Sequence, residues 1–157
     1  MPNLFPEGYE EEEITLDELK ADEPVGYKEG VYFDEDLMDF HRDGRYKLGY
    51  ATGIKSWEQW CINCLNTERG KYPMHRNVFG IQTEEAFRSN DRKKTENILT
   101  REICESLAAD PYGRTKYVSE VLFDWRSAPD ALIVTVTAVG IDDVTIDITT
   151  VLKPGTR

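Results

Sequence analysis

The C-terminal part of the chain constrains its fold more than any other segment. Three runs rich in Val, Ile, Thr and aromatic residues, at 118–125, 131–138 and 144–151, are separated by short segments that contain Pro or Gly. Such runs are typical of strands joined by tight turns. In the last run apolar residues alternate with Thr and Asp, the pattern of a strand with one buried and one solvated face. We therefore predict a three-stranded antiparallel β-meander.

A first amphipathic helix is predicted in the middle of the chain. Ser56 to Gln59 has the composition of a capping box, in which the hydroxyl and the Gln side chain satisfy free amides at a helix start. Apolar residues then follow Trp57 at helical spacing and lie on one face. We expect this helix to end near Asn66.

A second helix is predicted from about Thr95 to Ala109. Its apolar stripe is regular, and Asp110-Pro111 ends it because proline disfavours helical dihedral angles in the preceding residue. The basic run 92–94 is expected in a solvated loop just before this helix. A short helical piece is predicted at Glu84 to Arg88.

The remaining segments favour extended structure. Val31 to Leu37 is predicted to be a strand or extended stretch. Tyr46, Leu48 and Tyr50 alternate with Lys and Gly, which predicts a half-buried strand. Residues 72–81 are also predicted to be extended.

These elements predict one α+β domain, with two main helices packed on a small, mainly antiparallel sheet that ends in the meander. A chain of 157 residues can bury a core without metals or disulfides. The expected core residues are Trp57, Trp60, Cys61, Leu65, Ile98, Leu99, Ile103, Leu107, Leu122, Val134, Val136, Ile146 and Ile148.

The charge distribution divides the chain into an arm and a body. Residues 1–24 hold nine acidic side chains and one lysine, whereas the net charge of the whole chain is −11. We predict an acidic, extended N-terminal arm at 1–24 and a single domain at 25–157, because the arm has too few large apolar groups to offset chain ordering. Nucleic acid is not an expected partner, since phosphate binding needs clustered Lys and Arg.

The sequence also indicates the compartment. No apolar run approaches the ~18 residues that a membrane span needs, and the N-terminus lacks the pattern of a signal peptide. Three cysteines are an odd number, which fits a reducing compartment. We expect a protein made in a cytoplasm, with no membrane partner.

Trp60-Cys61-Ile62-Asn63-Cys64 suggests two kinds of chemistry. A reactive Cys-x-x-Cys pair sits at a helix N-terminus, but these cysteines fall in the middle and at the end of the predicted helix, on its apolar face. A zinc site would need Cys61, Cys64 and Cys104 together with His41 or His75, and that spacing matches no usual zinc pattern. Buried thiols are therefore the expected outcome.

Carboxylates suggest glycan hydrolysis, which needs two of them at a cleft. Glu68, Glu105 and Asp110 lie near element ends. Nothing in the sequence separates them from ordinary surface charges, and the nucleophile and phosphate-binding motifs are missing. We expect no enzymatic activity and no cofactor.

The order of motifs resembles that of a known family. Its members have a capped helix with a Thr-Glu-Arg turn, an aromatic segment that ends in an aromatic-Gly pair, and a second helix with an acidic-Pro-Arg motif before a meander. The corresponding residues here are Trp57, Trp60, Leu65, Thr67-Glu68-Arg69, Tyr72, Phe79-Gly80, Glu102, Glu105, Leu107 and Asp110-Pro111. This order resembles the small baseplate wedge proteins of contractile phage tails and tail-like bacteriocins, once labelled lysozyme-like, and especially those of Gram-positive prophages. It covers roughly residues 31–151.

Two positions depart from the family pattern. Tyr112 and Gly113 separate Pro111 from Arg114, so this arginine would act from a longer loop. His75 stands where the family has an aromatic residue. Neither position changes the order of helices and strands.

The resemblance implies a structural role in a sixfold, multi-copy baseplate, assembled in the bacterial cytoplasm. The implied partners are the tail sheath protein, the baseplate wedge proteins and the inner baseplate or tube proteins. An exposed strand edge can pair with a strand of another chain, so 131–138 and 144–151 are expected at the sheath contact. The residues expected at partner contacts are Thr67, Glu68, Arg69, Asp110, Arg114, Val134, Val136, Val144, Ile146 and Ile148.

Two alternatives stay open from the sequence. The old family label suggests a muralytic tail enzyme that uses Glu68 or Glu105. The cysteines suggest a cytosolic dithiol or zinc-binding protein. Both alternatives require a reactive site, whereas a structural baseplate subunit does not.

Overall fold

A computed structural model describes residues 26–34, 36–75 and 77–154. The expected extended arm at 1–24, and with it the boundary to the domain, lies outside these residues. The described residues form a mixed α+β domain, as the sequence predicts. The elements in chain order are β1 (Gly30–Val31), β2 (Phe33–Asp34), β3 (Asp39–Phe40), β4 (Tyr50–Ala51), α1 (Ile54–Asn66), α2 (Glu84–Arg88), α3 (Arg92–Ala108), β5 (Thr115–Asp124), β6 (Leu132–Gly140) and β7 (Thr145–Leu152).

The predicted meander is confirmed. The strands β5, β6 and β7 pair antiparallel in sequence order. Alternate side chains of β6 and β7 are buried, and α3 lies over β5 while α1 lies over β7. The core is therefore a single layer of side chains between one sheet face and two helices. Its fully buried members include Trp57, Cys61, Leu65, Leu99, Ile103, Leu107, Val134 and Val136.

The prediction that Leu122 belongs to the core is wrong, because 53 % of this residue is exposed. A β-bulge between Val118 and Glu120 inserts one extra residue into β5. Because side chains alternate along a strand, one inserted residue exchanges the two faces. Val121 and Phe123 therefore pack against the core in place of Leu122. Two further expected core residues, Trp60 and Ile98, are only partly buried.

The helix starts differ from the prediction. Gly53, with φ of 61°, precedes α1, which begins at Ile54 without a side-chain cap. Ser56 is buried inside the helix, facing Gly30, so the predicted capping box is wrong. Asp91 caps α3 by accepting a hydrogen bond from the amide of Lys93. The basic run 92–94 is therefore the first turn of this helix and not a loop.

The predicted extended segments are mostly turns. The described residues between Lys71 and Gly80 form turns and bends, and only Ile81 forms a bridge, to Glu68. The predicted strand at 46–50 is also wrong, because Tyr46 has φ of 60° and the short β4 begins only at Tyr50. Turns of this kind depend on local backbone hydrogen bonds, which an alternation pattern does not reveal.

The region around 31–37 is also shorter than predicted. The strand segments β1 and β2 contain Val31 and Phe33, whereas Leu37 lies in an exposed turn. Tyr27 packs on Trp57 with ring centroids 5.5 Å apart. This contact joins the start of the described chain to the core.

Candidate functional site

The outer edge of β7 is the most regular strand edge among the described residues. The register between β6 and β7 is unbroken from Val139 opposite Thr145 to Leu132 opposite Leu152. Among the described residues, no strand pairs with the other side of β7. We call this side the β7 edge.

The register shows which backbone groups face the β7 edge. The amide of Gly140 donates to the carbonyl of Val144 at 2.8 Å, so these residues form a hydrogen-bonded pair. In an antiparallel ladder such pairs alternate with pairs whose N–H and C=O groups point away from the partner strand. Free backbone groups at the β7 edge therefore belong to Thr145, Asp147, Thr149 and Val151.

The other strands of the sheet are less suited to accept a strand. The middle strand β6 is hydrogen-bonded on both sides, which leaves residues 131–138 without a free edge. The outer strand β5 has two register irregularities, at 115–117 and 118–120. Bulges disrupt the regular ladder that an added strand needs and protect natural sheet edges. Strand addition is therefore favoured at the β7 edge.

Four of the residues expected at partner contacts face the core. Val134, Val136, Ile146 and Ile148 are buried against the helices, and Val144 is half-buried in the turn before β7. Their side chains shape the sheet, whereas Thr145, Asp147, Thr149 and Val151 are exposed on the opposite face. These outward residues were not among the expected contacts, although the same alternation in the sequence places them on the exposed face.

Arg69, in the Thr-Glu-Arg turn, holds three parts of the fold together. Its guanidinium donates to the carbonyl of Gly80 at 3.1 Å and to the hydroxyl of Ser106 at 2.8 Å. It also lies 3.2 Å from the buried carboxylate of Glu102. Arg69 therefore connects the turn after α1 to the 71–80 loop and to α3.

The other two residues of this turn have different roles. The hydroxyl of Thr67 donates to the carbonyl of Asn63 at 2.7 Å, which closes the end of α1. Glu68 is exposed and lines a groove of about 330 Å³ at the end of β7, together with Tyr72, Val151 and Lys153. Glu68 is therefore the most exposed residue of this turn and lies beside the end of β7.

Replacing Gly80 by alanine is expected to destabilise the protein by at least about 2 kcal/mol, because a non-glycine residue at positive φ is strained. Gly80 has φ of 93°, and a Cβ there would lie 2.5 Å from the carbonyl oxygen of Thr67. Urea unfolding measures the change. Gly44→Ala is the matched control, since a Cβ at Gly44 meets nothing within 4 Å. An equal effect of both substitutions would contradict this account.

Asp110 and Arg114 form a buried ion pair across the loop that follows α3. The two side chains are 0 % and 3 % exposed, and the guanidinium donates to both carboxylate oxygens, at 2.7 and 3.1 Å. Asp110 also accepts hydrogen bonds from the amides of Tyr112 and Arg114. The two residues inserted between Pro111 and Arg114 thus form a tight turn around the carboxylate.

An apolar groove adjoins this loop. It has a volume of about 630 Å³ and lies between α1, the 71–79 loop and Pro111. In the wall of this groove the ring of His75 stacks on the ring of Phe79, with their centroids 4.6 Å apart. His75 therefore packs in the way that an aromatic residue at this position would. Met74 and Val78 expose most or half of their surface at the rim. Apolar side chains exposed together in this way are typical of contact surfaces.

The cysteines lack the environment of a reactive site. Burial raises the pKa of Cys61 to about 12, and burial also raises the pKa of Cys64. The Cys64 thiol faces the carbonyl of Ser106 in the core. Among the residues that the structure describes, no group of three or more His, Cys, Asp and Glu side chains is placed to hold a metal ion.

We expect Cys61 and Cys64 to resist a thiol reagent in the folded protein at neutral pH and to react fully after unfolding, because only the thiolate is nucleophilic. The pKa of Cys61 rises on folding, so its contribution to stability is complete below its ordinary pKa of 9.0 and is lost as the pH rises towards about 12. A native titration with Cys61→Ser as the reference separates the sites. Rapid labelling of Cys61 in folded protein would contradict this.

The candidate catalytic carboxylates do not form a common site. Asp110 is occupied by Arg114. Glu105 is exposed on α3, 3.9 Å from Arg101, whereas Glu68 lies beside the end of β7.

Among the described residues, no helix is long and apolar enough to cross a membrane.

Comparison with solved structures shows what the fold of this chain is similar to. No protein-family model matches the sequence, and no curated protein matches it. The fold is similar to that of a chain in the cryo-EM structure of the anti-feeding prophage (AFP) baseplate, 6-fold symmetrised, with a TM-score of 0.51 and 14 % sequence identity. The likeness covers 83 % of this chain and 88 % of that chain. The two chains therefore share a fold over most of both their lengths.

Proposed function

We propose that this chain is a structural subunit of the baseplate of a contractile tail or tail-like particle. The observation that best supports this proposal is the fold shared with a chain of the anti-feeding prophage baseplate. The likeness extends over 88 % of that chain. The motif order of the sequence resembles the same class of protein. Its place would be the particle baseplate, in sixfold copies.

In this proposal the β7 edge is the sheath contact. An incoming sheath strand would pair with the backbone groups of Thr145, Asp147, Thr149 and Val151. Main-chain hydrogen bonds supply affinity in such strand addition, and neighbouring grooves select the partner's side chains. The groove that contains Glu68 and Lys153 lies at the end of that strand and suits this second role. The chain would thereby link the inner baseplate to the first sheath ring.

The apolar groove beside Pro111 is the proposed contact for wedge proteins. Its rim residues Met74 and Val78 are exposed, and its lining does not include residues of β7. Asp110 and Arg114 would act through the fold, by holding the loop that forms one wall. Inner baseplate or tube proteins are the remaining proposed neighbours.

Removing the gene from a producing bacterium tests this function. We expect tubes or baseplates without sheath in negative-stain electron microscopy, with sheath restored by the wild-type gene. Normal contractile particles without the chain would contradict the proposal.

A zymogram on purified cell wall addresses the muralytic alternative. We expect no clearing by the purified chain, since the candidate carboxylates do not share a cleft. Clearing that disappears in Glu68→Gln or Glu105→Gln would show that the chain is an enzyme.

A further inference from the structure

Asp147 is the one charged residue of β7, and it lies within the β7 edge. Its side chain is exposed on the face of the sheet opposite the helices, together with Thr145, Thr149 and Val151. Thr137 donates a hydrogen bond to its carboxylate at 2.7 Å. Among the described residues, no Lys, Arg or His lies within ion-pair distance of Asp147. A charge on an edge strand affects which strands can pair with that edge.

The sheet around Asp147 offers it no basic partner. The row of side chains that contains Asp147 also contains Glu120 of β5, on the far side of β6. The middle strand β6 has no charged residue, and the basic residue of β5, Lys116, is bonded to Asp143 at 2.6 Å. Lys153 follows β7, but six residues of extended chain place it roughly 20 Å from Asp147. The charge of Asp147 is therefore open to a partner at the edge.

A strand added at the β7 edge would bring its own side chains next to Asp147. The N–H and C=O groups of Asp147 face this edge, because its pair with Thr137 is one whose backbone groups point away from each other. The residue directly opposite Asp147 in an added antiparallel strand would have its Cβ about 4.5–5.5 Å away, on the same face. Opposite charges in this arrangement stabilise strand pairing, and like charges oppose it. The position opposite Asp147 therefore favours Lys or Arg.

We propose that Asp147 selects the strand that pairs with β7, by favouring a strand with Lys or Arg directly opposite it. This inference rests on the proposed function, in which the β7 edge is the sheath contact, and it adds the chemistry of the sheath strand. The same charge disfavours two competitors. A strand with an acidic residue at that position is repelled, and a second copy of this chain would bring a second Asp147 to the edge.

Complementation of the deletion strain, with sheathed particles counted by electron microscopy, tests this selection. We expect Asp147→Lys to lower the sheathed fraction about tenfold, because an attraction becomes a repulsion at every copy. Asp147→Asn can still accept the hydrogen bond from Thr137, so we expect a smaller loss. The matched control is Glu120→Lys, which makes the same charge reversal on the same face but on β5, away from the β7 edge. This control should assemble sheath normally.

Second-site rescue of Asp147→Lys identifies the partner. Among mutants selected for restored particle activity, we expect a Lys or Arg of the sheath protein to be replaced by Glu or Asp. The same sheath change should impair assembly with the wild-type chain, as two directly interacting residues require. Urea unfolding of the purified variants checks that Asp147→Lys is folded. If it is not, Asp147→Asn decides, and a wild-type fraction of sheathed particles would overturn the proposal.

Thr149→Pro in the same assay separates this proposal from the proposed function. If Thr149→Pro abolishes sheath while Asp147→Lys matches Glu120→Lys, strand addition stands and selection by Asp147 is overturned. If Thr149→Pro and Asp147→Lys both give normal sheath, the sheath contact at the β7 edge fails as well. A rescuing change in a baseplate protein other than the sheath would also overturn the proposal. So would a dimer of the purified wild-type chain that Thr149→Pro dissociates, because the edge would then belong to a second copy.

Discussion

Replacing Asp110 by asparagine is expected to destabilise the protein by about 3–5 kcal/mol, because breaking one partner of a buried ion pair leaves the other charge uncompensated. The substitution keeps the size of the side chain but removes the charge that faces Arg114. Arg114 is 2 % exposed and packs over the rings of Trp60 and Tyr112, so water cannot replace the carboxylate. Urea unfolding followed by tryptophan fluorescence measures the loss.

Glu105→Gln is the matched control for this substitution. It removes the same kind of charge from an exposed site near the same helix end, and surface changes are usually within about 0.5 kcal/mol. If Asp110→Asn were as stable as this control, the ion pair would not support the fold. The motif would then have to act by contacting a partner.

Replacing Thr149 by proline is expected to abolish sheath assembly while the protein stays folded. Thr149 lies opposite Thr135 in a pair whose backbone groups point away from each other, so its amide faces the β7 edge. Proline removes that donor and blocks the approach of another strand, but it takes no hydrogen bond from the ladder with β6. Complementation of the deletion strain, followed by electron microscopy, reads out assembly.

Thr149→Ala distinguishes backbone pairing from a side-chain contact. It keeps the amide, so we expect normal sheath assembly. Deleting residues 144–157 is a poorer test, since Ile146, Ile148 and Leu152 belong to the core and their loss would unfold the domain. Normal sheaths with Thr149→Pro would exclude strand addition at the β7 edge.

The sequence predicted those parts of the fold that depend on repeated spacing. The meander, the end of α1 and the end of α3 follow from alternation, helical periodicity and Pro111. The bulge near Val118 was not predictable in this way, because the same residues can alternate with or without an inserted position. The turns at 71–80 depend on the conformation of Gly80 and on contacts with Arg69, which lie outside any local pattern.

The sequence predicted the strand that carries the candidate site, but not which of its side chains would be named as contacts. The alternation in the last strand pointed correctly to β7 as a sheet strand, but the buried valines and isoleucines were chosen as contacts where the outward threonines are accessible. The position of a residue in a motif does not show whether its side chain stabilises the fold or binds a partner. Burial separates these roles for Arg69 and Arg114, which are bonded to Glu102 and Asp110.

Cryo-electron microscopy of particles from a producing bacterium, with this chain traced in the baseplate, tests the central claim most directly. We expect sixfold copies beside the tail tube, with a sheath strand hydrogen-bonded to β7 from Thr145 to Val151. A particle that lacks the chain, or one in which the β7 edge stays unpaired beside an assembled sheath, would contradict the account.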